Sequence, residues 1–407
     1  MSTAIQSDRE STFAALRQDF PLLQTQFEGR SVVYLDSAAT SLKPKQVVAS
    51  LCGYYEKYSA NVHRGNHLLG EIADCHFEES RARVAEFIGA APEQVIWTSG
   101  ATDSINHVAR MLQLDSTDRI LVSQLEHHSN LLPWLNTAQV DVVRVDAQGL
   151  IDEEHFEQLL SRRPRLVALS QLSNVLGTVQ PIKQLFDLAH RAGALTLVDG
   201  SQSVPRMPVD VNDLGCDFLV FSGHKMLGPT GIGVLYINPR NFADLVPGRW
   251  GGGMVKSVVG NEVSLREVPE RFEAGTPHIA GTIGLAAAVR YLQDLAGLRH
   301  IFEHEQELTR RAVDGLGALP RVRLWPRTAP TRVGIVSFTV DGMESDDVAM
   351  MLSHRANIMC RSGVHCAEPL ARSLGVDSFV RASFYLYTTR EEVEELIQTV
   401  AGIVTHL

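Results

Sequence analysis

What this sequence lacks narrows its function first. No apolar stretch among its 407 residues reaches the roughly 20 that a helix needs to cross a bilayer. Met1 to Gln18 is polar and mixed in charge, without the apolar core of a secretory signal. No segment repeats and no low-complexity run interrupts the chain. Basic residues are the minority: 37 Lys and Arg stand against 47 Asp and Glu, a net charge of -10. That balance weighs against a nucleic-acid partner, which calls for a basic face. Cysteine is scarce too. Cys52, Cys75, Cys216, Cys360 and Cys366 form no CxxC pair, and an odd number cannot all be bridged. The expected compartment is a reducing cytoplasm.

What is present is an ordinary globular composition, 44% hydrophobic and 21% charged, in a chain long enough for two or more cored domains. Val32 to Asp36 reads as a short strand ending in the small-residue turn Ser37-Ala38-Ala39-Thr40. Pro44 opens a helix to about Tyr58. Glu71 to Ile88 has helical spacing, with Ile72, Cys75, Phe77, Val84, Phe87 and Ile88 inward. From Val95 the pattern alternates. Strands are expected at 95–98, 119–123, 140–145, 166–171, 195–199 and 217–221. Helices are expected between them at 102–112, 130–137, 152–161 and 182–192, with Asp152 as an N-cap. Alternation of this kind means βαβ units and a mostly parallel sheet, which gathers ligands at the carboxyl ends of its strands. Beyond Gly284 the order changes. One long helical stretch from Leu285 to about Leu316 precedes strands at 333–340, 357–360 and 380–385. With helices at 346–355 and 391–404 these make a second, smaller α+β unit.

The residues with chemistry to offer fall mostly at strand ends. Lys225 stands between the apolar run Asp217 to Phe221 and the glycine-rich stretch Gly228 to Gly233. Burial there disfavours the ammonium and frees an amine for a Schiff base. Asp199 ends the strand Leu195-Thr196-Leu197-Val198 and needs a cationic or hydrogen-bonding partner. A protonated pyridine nitrogen is one; an ordinary turn aspartate is the rival reading. His127 could lie flat on an aromatic cofactor, while its neighbour His128 cannot face the same way. Ser99-Gly100-Ala101-Thr102 lies between strand and helix, where backbone N–H groups make an anion site. It matches neither GxGxxG nor GxxxxGK[ST], and a plain helix cap is the bland alternative. Ser222 and His224 could donate to the same phosphate. Cys366 lies in a loop beside His365 and near Arg361, where a thiolate is plausible. The other four cysteines read as inert packing residues. No second ligand pair stands at a metal-site spacing. Arg381 could grip a carboxylate with both arms of its guanidinium, although most arginines are surface residues.

The order of these features resembles a fold-type I pyridoxal-phosphate enzyme. The chain is similar over nearly its whole length to the SUF-type (group II) cysteine desulfurases of the class V aminotransferase superfamily. The matching stretches are Tyr34 to Thr40, Asn61 to Gly65, Glu126 to Asn130, Ser173 to Thr178, Val198 to Pro205, Cys216 to Gly233, Arg271 to Pro277 and Arg361 to Leu370. The resemblance implies an α/β fold with a mostly parallel seven-stranded sheet. It implies an N-terminal segment, 1–30, packing on the small domain, a large cofactor-binding domain, 31–284, and a small domain, 285–407, carrying the cysteine loop. It further implies that Lys225 carries pyridoxal 5′-phosphate, that Asp199 and Gln202 contact its ring nitrogen and O3′, and that His127 stacks on the ring. Thr102, Ser222 and His224 hold the phosphate, beside Ala101, with Thr276 reaching in from the second subunit of a homodimer. Asn174 and Arg381 fix the substrate carboxylate, and Arg361 and His63 complete the substrate set. Cys366 takes sulfur from L-cysteine as a persulfide, leaving alanine, and passes it to an acceptor protein of the SufE or SufU type for iron–sulfur cluster assembly.

The chain departs from that pattern at four positions. Val364 stands where His or Gln is frequent, Cys360 where an aliphatic residue is usual and Ala101 where Thr is frequent. Glu368 stands where an uncharged Met or Gln is common, and a carboxylate there opposes thiolate formation if it faces the sulfur. Two other functions use the same frame: a selenocysteine lyase acting on L-selenocysteine, which can do without the attacking cysteine, and a noncatalytic sulfur carrier or scaffold. Cys366 favours the first-named activity over the lyase; Lys225 and Asp199 argue against the scaffold.

Overall fold

The computed structural model describes residues 13–63 and 65–405. Residues 1–12 of the expected N-terminal segment, and Arg64 of one matching stretch, lie outside them. The first strands, β1 (Gln26–Phe27) and β2 (Arg30–Ser31), pair as a hairpin, and β3 (Val33–Tyr34) follows. The main sheet is built from β4 (Val95–Thr98), β5 (Arg119–Ser123), β6 (Gln139–Val143), β7 (Leu166–Ser170), β8 (Leu195–Asp199), β9 (Phe218–Ser222) and β10 (Gly233–Ile237). Their order is β4-β10-β9-β8-β7-β5-β6. All pairs are parallel except those of β10, which runs against both β4 and β9. Strands β7, β9 and β10 are buried at every residue, so their apolar runs do not alternate, as a sheet covered on both faces requires. The seven-stranded, mostly parallel α/β sheet is as expected.

Strand β10 itself is not foreseen by the alternation, because its apolar run is hidden behind the preceding glycines. Gly233 at its start has a steric reason. A Cβ there would come within 2.4 Å of Gly100 Cα, so β10 can cross the turn after β4 only as glycine. The hairpin β11 (Val255–Val259) and β12 (Glu262–Leu265) is also unforeseen.

Helices flank the sheet. Lys45–Lys57 and Leu68–Phe87 pack on Ile279–Tyr291. Asp152 caps its helix as expected, accepting from the His155 N–H at 3.0 Å. The expected helix at 130–137 is instead a 3₁₀ turn, His128–Asn130, and a single helical turn, Leu132–Leu135. The long helical stretch from Leu285 is two helices. Ile279–Tyr291 runs through a π turn, Leu292–Ala296, to Gly297 at φ 70°, and Leu298–Gly317 begins anew. That positive φ suits glycine and ends the ladder. Cys75, expected inward, is exposed, as is Cys52; of the four cysteines expected to be packing residues, Cys216 alone is fully buried.

The second sheet joins β13 (Val322–Trp325), β14 (Ile335–Val340), β16 (Arg361–Gly363) and β17 (Phe379–Ser383) in the antiparallel order β13-β14-β17-β16. Strand β15 (Ile358–Met359) leaves this unit to pair in parallel with β3. Val33 and Leu35 thereby enter the same apolar cluster as Phe338, Ile358 and Val393. Asn357 Nδ2 donates to the Phe27 carbonyl at 2.9 Å, and Arg17 meets Glu392 at 2.8 Å. Between the two sheets, Arg206 Nε lies 3.0 Å from Glu305 Oε2, both side chains 0% exposed. Gly334 makes room for the pair: a Cβ there would come within 1.9 Å of that carboxylate.

Candidate active site

The carboxyl ends of β4, β8 and β9 open on one cavity of about 200 Å³. Lys225 reaches it from a 3₁₀ turn, Gly223–Lys225, set by the end of β9. The turn is tied down from behind. The His224 carbonyl accepts from Ser41 N at 3.0 Å and from Thr40 Oγ1 at 3.0 Å, and Leu227 N donates to Ser41 Oγ at 2.7 Å. The small-residue turn after β3 is thus the support of the lysine turn. Burial pushes the Lys225 ammonium down to about 8, against the pull of the Asp199 charge.

Asp199 ends β8 in the same cavity, and its Oδ1 accepts from Ser201 N at 2.9 Å. His127 lines the cavity with Nδ1 accepting from Ser129 N at 3.1 Å. Burial, with Lys225 next to it, lowers the imidazole to about 4 and keeps it neutral. Ser129 Oγ in turn meets Thr102 Oγ1 at 2.7 Å. Thr102 belongs to the first turn of the helix Ala101–Met111, and Ser222 Oγ accepts from Ala101 N at 2.8 Å. A helix start, two hydroxyls and His224 thus line the cavity together, a donor set suited to a phosphate. Ala38 and Ala39, from the turn after β3, keep the wall low.

At the other end stand two arginines on paired strands, Arg361 on β16 opposite Arg381 on β17. Arg381 is buried, with 2% of its side chain exposed, so the surface reading fails. Its Nη1 donates to the Asn174 carbonyl at 2.9 Å and its Nη2 meets Asp36 Oδ1 at 3.1 Å. Among the described residues its Nε has no hydrogen-bond partner, and neither ring nitrogen of buried His365 has one. Unpaired donors buried around a cavity are costly unless a ligand meets them.

Cys366 follows β16 in a loop pinned to the main-sheet side. Asn174 Nδ2 donates to the His365 carbonyl at 2.9 Å, and His128 N donates to the Cys366 carbonyl at 2.8 Å. His365 and Cys366 both adopt positive φ, 55° and 57°, which residues with a Cβ seldom do. The Cys366 thiol is half-buried, and the Glu368 carboxylate contacts His128 Nε2.

The cavity unites Ala101, Thr102, His127, Asn174, Asp199, Ser222, His224, Lys225, Arg361 and Arg381. Four expected residues stand outside that lining: Cys366, which is still within electrostatic reach of Lys225, and three others. Gln202 is buried with its amide engaged: Nε2 donates to the Ala38 carbonyl at 2.8 Å and Oε1 accepts from Arg206 at 2.9 Å. His63 packs edge-on against Phe77, and its N–H donates to Asp74. Thr276 is exposed and lines a separate hollow with Trp97 and Arg249. The sequence reading missed Ser129, Ser201, His365 and Asp36. All four fall within stretches already singled out, but none was assigned a part in the site.

The arrangement has relatives. Residues 33–396 match the family described as Aminotransferase class-V. A probable cysteine desulfurase of Halalkalibacterium halodurans is 42% identical over 94% of this chain and 95% of its own. One from Synechocystis is 43% identical over 97% of this chain and 96% of its own. Among solved structures, the apo cysteine desulfurase of Thermococcus onnurineus superposes with a TM-score of 0.90 at 41% identity, covering 97% of this chain and 98% of its own. With a lysine, a carboxylate and a donor-rich turn gathered at the strand ends of the same fold, the chain belongs to the class-V aminotransferase family.

Proposed function

We propose that this chain is a cysteine desulfurase that uses pyridoxal 5′-phosphate to convert L-cysteine to L-alanine, with the sulfur carried as a persulfide on Cys366. The observation that carries the reading is the meeting of Lys225, Asp199 and His127 in a cavity that has arginines at its far end. The residues fit the cofactor: a helix start with Thr102 and Ser222 for its phosphate, a buried carboxylate for its ring nitrogen, a neutral imidazole for its face and a desolvated amine for its carbonyl. When bound, the cofactor supplies the electron sink that stores charge from the substrate α-carbon.

The remaining work belongs to the chain. Arg381 and Asn174, with Arg361, hold the substrate carboxylate. Lys225, whose ammonium is weakened by burial, takes the proton from the α-carbon as the free amine and later returns one. Cys366 attacks the substrate sulfur as a thiolate. A sulfur–sulfur bond forms, the carbon–sulfur bond breaks, and its electron pair stays on the organic fragment, which is protonated on the way to alanine. Gln202 Nε2 spends one N–H on the Ala38 carbonyl, and its second N–H would serve cofactor O3′.

The same reading divides the chain into a cofactor-holding domain, 31–284, and a smaller one, 285–407, that presents the cysteine loop, with the segment before 31 packed on the latter. It assigns Thr276 to the site of a second subunit, in keeping with its exposure outside this cavity. It hands the sulfur to an acceptor protein serving iron–sulfur cluster assembly. The test is turnover of L-cysteine, with and without acceptor, following alanine and the mass of the Cys366 peptide. Undiminished alanine formation by Cys366→Ala overturns the nucleophile assignment, and a sedimentation mass of one chain at full activity overturns the dimer.

A further inference from the structure

We infer that Glu368 is a positioning residue for Cys366, acting through His128. At this position the carboxylate has two possible effects on the thiol: it can repel the thiolate, or it can hold the loop. The contacts favour holding. Glu368 opens the short helix Glu368–Leu374 directly after the loop. Its Oε2 lies against His128 Nε2 in a close contact that lacks hydrogen-bond alignment. The same His128 donates its backbone N–H to the Cys366 carbonyl at 2.8 Å. One residue of the main-sheet side therefore grips the loop twice, at Cys366 by its backbone and at Glu368 by its ring.

The loop has reason to need that grip. His365 and Cys366 stand consecutively at positive φ, a conformation that clashes with a Cβ and persists where surrounding contacts impose it. Asn174 holds the first of the two carbonyls at 2.9 Å and His128 the second. The His128–Glu368 contact is half-exposed, 30% and 45% of the side chains, so its share is that of a surface pair rather than a buried one. It trims the loop's opening without being the whole latch. His128 was legible as the histidine that could not face the cofactor with His127; this contact gives it work of its own.

The inference rests on Cys366 as the reactive sulfur, and its test is read without turnover. Cofactor-loaded protein is exposed to the neutral reagent iodoacetamide, and the rate of Cys366 alkylation is followed by peptide mass, with hydrogen exchange over 361–370 alongside. For Glu368→Ala the expected result is alkylation faster by about two- to fivefold, the range of a surface ion pair, with faster exchange in the loop. His128→Ala keeps the backbone bond and loses the ring; it is expected to match Glu368→Ala. The double variant is expected to be no faster than either, since both remove one interaction. Glu368→Gln keeps the side chain's size and an oxygen against the imidazole and is expected to stay near the parent rate. If Glu368→Gln and Glu368→Ala accelerate alkylation equally with exchange unchanged, Glu368 acts by charge on the thiolate and the positioning role is overturned. Unchanged alkylation in Glu368→Ala, or additive effects of the two alanines, overturns it as well. A parent protein that makes no alanine from L-cysteine overturns the proposed function and leaves the alkylation result to decide the positioning role.

Discussion

Lys225 lines the cavity and Cys366 lies within electrostatic reach of it, yet the two are held by opposite means. Lys225 leaves β9 near the middle of the main sheet, between β8 and β10, on a turn braced by Thr40 and Ser41. Cys366 hangs between the edge strand β16 and a seven-residue helix, in a backbone conformation that its neighbours impose. The amine is desolvated and fixed; the thiol is half-buried and tethered through carbonyls. A group that must anchor a cofactor gains from rigid surroundings, which keep its geometry and lower its pKa. A group that must take sulfur from inside and deliver it outside gains from surroundings that can let go.

Substitutions can break this contrast. Lys225→Ala is expected to have the largest effect, a loss of turnover of at least about a thousandfold as for other covalent catalytic groups. It should also remove the borohydride-fixable visible absorbance, and an unchanged spectrum would refute the anchoring role. Glu305→Ala tests the joint between the two regions. It leaves the buried Arg206 guanidinium with its bonds to Gln202 but without a counter-ion, and loss of one partner of a buried pair costs about 3–5 kcal/mol. Urea unfolding measures it; a change below 1 kcal/mol, roughly the worth of a surface pair, would show that the joint is soft. Cys366→Ala is expected to lose about a hundredfold in alanine formation, in the range of a lost nucleophile, with the cofactor spectrum intact. Loss of both together would mean that the two regions are not independent. The mildest effect is on pH. Because burial lowers Lys225 to about 8, the apo-protein holds a protonated lysine below that value and a free amine above it. Capture of pyridoxal by the apo-protein, trapped with borohydride, should therefore quicken about tenfold per pH unit up to 8 and then level. A rise continuing to pH 10 would show an unperturbed lysine.

The same contrast governs what the sequence made legible. Asp199 and Lys225 could be read because strand ends of a parallel sheet are defined by runs of apolar residues, and a charged residue ending such a run stands out. Strand β10 could not, since an antiparallel insertion between β4 and β9 leaves no helix to announce it. The break at Gly297 was masked by helical spacing that continues across it. The pairing of Arg381 with Asp36 is a contact between distant segments, which no local pattern carries. The positive φ of His365 and Cys366 is set by tertiary contacts, against the preference of both residues.

The parallel pairing of β3 with β15 has a bearing on how the chain is made. Val33 and Leu35 precede the main sheet in the chain, yet the residues that share their cluster, Phe338, Ile358 and Val393, follow it. The strand waits uncovered while the main sheet is made, and the segment holding Cys366 takes shape after that sheet. A fragment cut after residue 284 would expose that waiting strand, and one beginning at 285 would lack it.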